Sequence, residues 1–174
     1  MSRLISILLC AAGLFLGSAL AGAPAAPAGA PAATLAFLGV QFINDNASFE
    51  PTTGDERRRI SDIGQQLVEA LSRSGGYAVK TISSNVRDQS TSGQPIGQCG
   101  GCEASLAKSV GAQTAAWVTV QKVSNLILNI NVYMEDAATG RVTFTKSVDL
   151  RGNTDESWHR GMAYLIDNYL LPKS

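Results

Sequence analysis

Cys99-Gly100-Gly101-Cys102 is the one short motif in this chain whose residue types and spacing carry chemistry. Two thiols three positions apart close into a small ring, and the glycines between them free the backbone to turn that tightly. In an oxidising compartment the pair reads as a structural disulfide, worth about 2 kcal/mol of chain entropy for so short a loop. The functional alternative is a thiol–disulfide redox pair. Cys102 opens a helical segment whose first amides favour its thiolate, and the glycines keep the ring accessible.

Other chemistries lack partners. The Trp that precedes such pairs in thioredoxins, and the Pro within them, are absent, and a c-type haem site would need His where Glu103 follows Cys102. A four-ligand zinc site would have to add the one histidine, His159, and a carboxylate from the distant last helix, so no metal is expected. His159 reads as an exposed or cap-stabilising residue, because no serine or cysteine nucleophile motif accompanies it. Asp149, Asp155 and Glu156 form an imaginable acid set, but Asp155 and Glu156 are better explained as first-turn residues that complement a helix dipole. No G-x-S-x-G, P-loop or G-x-G-x-x-G is present. The expectation is a non-enzyme without a cofactor.

The oxidising compartment is itself a reading of the first residues. Arg3 makes a short positive region, Leu4 to Gly17 an apolar run too short to span a membrane, and Ser18-Ala19-Leu20-Ala21 a small-x-small cleavage site. Residues 1–21 are therefore expected to be a signal peptide for export to the periplasm. A lipoprotein signal at Cys10 is the rival, opposed by Leu9 where a small residue belongs. Residues 22–33, GAPAAPAGAPAA, have no side chains to bury and read as a linker. Residues 34–174 remain for a single domain of usual size. Hydrophobic residues make up 45% and charged residues 16% of the 174, as in folded chains. The formal charge is +0, and loss of Arg3 leaves 13 basic against 14 acidic residues, so no basic field exists to attract nucleic acid or anionic lipid.

The elements that must position the cysteines follow from periodicity. Residues 35–42, LAFLGVQF, are continuously apolar and suit a strand covered on both faces. Thr53 with Glu56 makes a capping box, and Ile60, Ile63, Leu67, Ala70 and Leu71 recur at helical spacing until Ser74-Gly75-Gly76. Tyr77 to Ile82 is a short strand, and 83–98 a polar stretch expected to be a mobile loop. Cys102 to Val110 is a short helix ended by Gly111. Residues 116–120, 126–134 and 142–150 then alternate, with apolar even positions and mostly polar odd ones, which identifies an antiparallel meander. A last helix capped by Asn153 carries Trp158, Met162, Leu165, Ile166, Tyr169 and Leu170 on one stripe and stops at Pro172. The order β-α-β-α-β-β-β-α predicts an α/β (α+β) domain with a single mixed five-stranded sheet and helices mainly on one face.

The odd face of the meander is the second candidate site. A face meant only for water usually mixes Lys and Glu, whereas this one offers Asn129, Asn131, Tyr133, Thr143 and Thr145, with Trp117 a further aromatic. Such residues make directional hydrogen bonds and aromatic contacts without charge. They are the expected docking residues for a periplasmic or envelope protein, set against the plain alternative of a solvated face.

Two resemblances add to this reading. The element order over 35–171, with Val110-Gly111-Ala112 leading into a strand and the Asp136 to Gly140 D-x-x-T-G hairpin, resembles the TolB amino-terminal domain and CsgG-like envelope proteins. The stretches QKVSNLILNINV (121–132) and SVDLRGNTDESWHRG (147–161) resemble a family of secreted bacterial proteins whose domain has no assigned function. The resemblance implies fold and compartment, brings no catalytic residues, and implies an accessory place beside quinoprotein alcohol oxidation.

Overall fold

The computed structural model describes residues 32–91 and 93–171, so the expected signal peptide, Cys10, most of the expected linker and Pro172 lie outside the described residues. Five strands form one mixed sheet in the order β2-β1-β3-β4-β5, with β1 Ala33–Asn44, β2 Tyr77–Thr81, β3 Thr114–Ser124, β4 Ile127–Asp136 and β5 Arg141–Leu150. β1 pairs in parallel with both β2 and β3, and β3, β4 and β5 run antiparallel. This is the mixed sheet with an antiparallel second half that the element order predicts. The helices are α1 Gly54–Arg73, α2 Ser84–Ser90, α3 Cys102–Ser109 and α4 Asp155–Leu165, the last widening into a π-helical turn over Ile166–Leu170.

The two long helices share one face. Ile63, Leu67 and Leu71 of α1 and Trp158, Met162 and Leu165 of α4 meet the inward residues Ala116, Val118, Val120, Leu128, Ile130, Val132 and Met134 in the main core. Period-two alternation puts these even positions on one side, and burial of each large side chain contributes on the order of 2 kcal/mol. α3 lies on the other face, where Leu106 and Ala107 pack with Ala36, Leu38, Ala115 and Trp117 in a second core. The unbroken apolar run of β1 now has its reason: Leu35 and Phe37 serve the first core, Ala36 and Leu38 the second.

Four local readings are corrected. Residues 84–90 of the expected loop are the helix α2, because Arg87 anchors them: its guanidinium donates to Leu38 O at 3.1 Å beside the β1 bulge. Gly39 at that bulge has φ +107, and Arg87 occupies the space where a side chain would stand. Leu126 and Val142, expected inside, are exposed, because irregularities after Lys122 and at Thr143 break the alternation. The N-cap of α4 is Thr154, whose hydroxyl accepts from Ser157 N at 3.2 Å.

Asn153 does other work. Its Nδ2 donates to Glu56 Oε1 at 2.7 Å, and its Oδ1 accepts from Trp158 Nε1 at 2.9 Å and from Arg59 at 3.1 Å. Glu56, besides completing the capping box with Thr53, receives Lys122 Nζ at 2.8 Å. Both side chains are almost wholly buried, Lys122 at 2% exposure and Glu56 at 1%, with Glu50 adding a second carboxylate at 3.4 Å from Lys122. Burial by itself would raise the Glu56 carboxyl, but hydrogen bonds from Lys122, the Thr53 backbone and Asn153 outweigh it and hold the group at about 2. This polar knot ties α1, β3 and the β5–α4 connection together at one end of the sheet.

Candidate functional site

At the opposite end, the second face is closed by the segment the sequence singled out. Cys99 and Cys102 stand at disulfide distance with Cα atoms 5.6 Å apart, on a loop that ends at the N-terminus of α3. Both are half-buried, between exposed neighbours Gln98, Gly100 and Gly101. The loop closes down on β3: Gly97, at φ +90, sits so near Trp117 that a Cβ there would stand 3.1 Å from the indole nitrogen. Trp117 is 4% exposed and stacks on Tyr133 with ring centroids 5.1 Å apart and planes 10° off parallel. The aromatic end of the expected docking face is thus partly core.

Two carboxyl groups complete this corner, and periodicity missed both. Glu135, an odd residue expected on the wet face, is 6% exposed because α3 and its loop cover the end of β4. Glu103 is 3% exposed; its Oε1 accepts from Gly97 N and lies 3.0 Å from Cys99 Sγ. Burial, and then the charge of Glu103, push the Glu135 carboxyl up, with the Ala104 backbone acting against them. Glu135 Oε1 has no hydrogen-bond partner, and among the described residues neither acid has a cation within ion-pair distance. The adjacency of Glu103 to Cys102 in sequence was the available signal. The carboxylate that could join the cysteines in a metal-ligating set therefore comes from Glu103, not from the last helix: one donor atom from each of Cys99, Cys102 and Glu103 lies within 4.8 Å of the others. With the sulfurs bonded to each other the set offers no thiolate ligand.

The remaining half of the face is open. Asn131 Nδ2 donates to Thr119 Oγ1 at 3.1 Å and to Asn129 Oδ1 at 2.5 Å, and Asn129 Nδ2 donates to Ser147 Oγ at 2.7 Å and to Asp149 Oδ1 at 3.2 Å. The side-chain amides form a ladder across β3, β4 and β5. Thr145, opposite Tyr133, is exposed beside it, and Thr143 occupies the bulge with its hydroxyl donating to Met134 O at 3.3 Å. α3 packs on β1, β3 and β4 and stops short of β5. The structure thus brings Asn129, Asn131, Tyr133 and Thr145 onto one surface. His159 is exposed on α4 beside Asp62 and Gln66, on the opposite side of the sheet from the cysteines. Asp155 pairs with Arg58 at 2.8 Å and Arg59 at 2.6 Å, joining α4 to α1. Of the imagined acid set, Asp149 and Glu156 line one groove with Arg151 and Arg160, while Asp155 is committed to α1.

Helices on both faces of one mixed five-stranded sheet, with a βαβ unit entering an antiparallel meander, define an α/β domain of the kind carried by several bacterial proteins of known structure. This chain belongs to the DUF3280 family, described as protein of unknown function (DUF2380), whose model matches residues 33–170. A PelC dodecamer from Paraburkholderia phytofirmans is similar at a TM-score of 0.52 and 10% identity, over 80% of this chain and 89% of that one. A neuraminyllactose-binding hemagglutinin homolog from Helicobacter pylori is similar at a TM-score of 0.52 and 8% identity, over 79% and 83%. The LpoB C-terminal domain from Salmonella enterica follows at 0.48 and 16%, over 71% and 86%. At these identities the likeness is one of fold. No curated protein matches the chain. Among the described residues no helix is long and apolar enough to cross a membrane.

Proposed function

We propose that this domain is a binding module of the periplasm or envelope that docks a protein partner, with no enzymatic chemistry at that surface, on the open half of its second sheet face. The observation that carries this is the side-chain ladder through Thr119, Asn131, Asn129 and Ser147, which crosses three strands with Asp149 its one charged member. Amides already fixed by their neighbours lose little freedom on binding, and Tyr133, braced by Trp117, offers a rigid aromatic edge. Asn129, Asn131, Tyr133, Thr143 and Thr145 are the contact residues. The finer likeness to the TolB amino-terminal domain and CsgG-like envelope proteins belongs to this reading, as does export by residues 1–21. No described residue carries the quinoprotein link that the family resemblance implies.

In-cell photocrosslinking from position 145 or 147 tests it against position 62 on α1, which faces the other side of the sheet. Adducts of one discrete mass are expected from 145 and 147 alone and are lost on Asn131→Lys. Equal adducts from position 62, or adducts that survive Asn131→Lys, overturn the docking face.

A further inference from the structure

The closed half of the same face holds a second cluster of chemically able groups, separate from the docking surface. A buried carboxylate oxygen, Glu103 Oε1, lies 3.0 Å from Cys99 Sγ while it holds the loop by accepting from Gly97 N. A disulfide sulfur offers that oxygen no proton, whereas a reduced Cys99 thiol at that place donates to it. The two sulfurs are also unlike each other. Cys102 begins α3 beside first-turn amides, and Cys99 lies outside the helix against Glu103. A Cβ at Gly100 or Gly101 would meet nothing within 4 Å, so the turn between the two half-buried cysteines is open to solvent, while Cys102 also packs against the second core.

We infer that Cys99 and Cys102 form a thiol–disulfide exchange site for a disulfide-bearing protein or small thiol, with Cys102 as nucleophile and Glu103 as the base that serves Cys99. In the reduced protein the Cys102 thiolate attacks one sulfur of the partner disulfide and expels the partner's other sulfur as a thiolate. Cys99 then passes its proton to Glu103, and its thiolate attacks Cys102 Sγ, closing the ring and expelling the second partner thiolate. Two electrons pass from this protein to the partner. The two partner thiolates take up one proton from solvent, equal to the one Cys102 released there in forming its thiolate, and one from Cys99 by way of Glu103. Glu135, the other acid of the corner, is pushed towards its uncharged form by burial and then by the neighbouring Glu103.

Oxidised and reduced glutathione are suitable probes, with the full chain alkylated and the peptide spanning residues 88–108 weighed. Cys99→Ser is expected to trap glutathione on Cys102 about tenfold faster than Cys102→Ser traps it on Cys99. Glu103→Gln keeps an acceptor for the Gly97 N–H but takes up no proton, so ring closure from the mixed disulfide should slow at least tenfold at pH 7. The wild-type chain gives a second measurement should that variant fold poorly. The titratable groups of the loop, α3 and β4 are Cys99, Cys102, Glu103, Lys108, Tyr133, Glu135 and Asp136, of which Glu103 lies against Cys99 and Glu135 beside Glu103. With Glu103 as base, closure varies less than threefold between pH 6 and 8; an unassisted thiol gains about tenfold per pH unit below its pKa of about 8.5. A tenfold rise per unit, an unchanged Glu103→Gln rate, or equal trapping at the two sulfurs overturns the inference. So does a pair that stays oxidised at every glutathione ratio.

Discussion

The two ends of the sheet bury acids in opposite ways. At one end Glu56, in the first turn of α1, has a lysine at 2.8 Å, an asparagine at 2.7 Å and its own cap around it. At the other, Glu135 lies under α3 with an oxygen that has no partner and a second carboxyl for a neighbour. The first arrangement satisfies its charge and lowers the carboxyl to about 2; the second raises it. A charge with matched partners holds elements together, while one without them is retained at a cost in stability, and such places are where function concentrates. The knot ties the fold, while the corner keeps its acids without a cation among the described residues.

Breaking the knot should have the largest effect. Lys122→Met leaves Glu56 buried without its cation and is expected to cost about 3–5 kcal/mol, read as a fall in denaturation midpoint. Adding Glu56→Gln should recover part of that loss, because the uncompensated charge goes with it. Since Glu56 is lowered on folding, it contributes stability at pH above its ordinary 4.5 and loses it progressively as pH falls towards about 2. Acid melting of the wild-type chain should therefore be steepest in that interval, and the double variant should flatten it.

Opening the ring comes next. Replacing both cysteines by serine should cost about 2 kcal/mol, the chain entropy of a four-residue loop, with the far-ultraviolet spectrum unchanged. A loss much above this would show that the ring organises more of the second core than its own loop.

Glu135→Gln should act with the reverse sign and a smaller size. The raised carboxyl favours folding at pH below the ordinary carboxylate range and forfeits that stability as pH rises through its folded value. The variant should melt higher than wild type at pH 7 and show no gain at pH 4. An equal gain at both values would mean that packing, not charge, sets the difference. The smallest effect is expected from Thr145→Lys on the open half of the face, within about 0.5 kcal/mol in stability. Partner crosslinking from position 147 should nonetheless fall, which separates surface from scaffold.

Much of the fold was legible because its causes are local. The Thr53–Glu56 box, the helical spacing through Leu71 and the alternation along β3 to β5 each involve residues a few positions apart, and each reappears in the structure, the alternation between its two bulges. Cys99 and Cys102 were legible as a pair for the same reason. Alternation also assigned Asn129, Asn131 and Tyr133 to one face. What it could not assign was the cover over that face, and so it placed Glu135 in water.

The sequence by itself determined the five strands, the two long helices and α3, and the side of the sheet taken by strand residues away from the bulges, because backbone geometry converts spacing directly into direction. Only the tertiary structure decided which polar groups meet. Lys122 reaches Glu56 across 66 positions and Asn153 reaches it across 97, and no periodicity relates residues so far apart. The same holds for Arg87 against the β1 bulge, which made a helix of an expected loop, and for Glu103 and Glu135, which α3 brings together beside the cysteines. Whether a buried acid steadies the fold or stands ready beside a sulfur depends on its surroundings, and those exist only once the chain has packed.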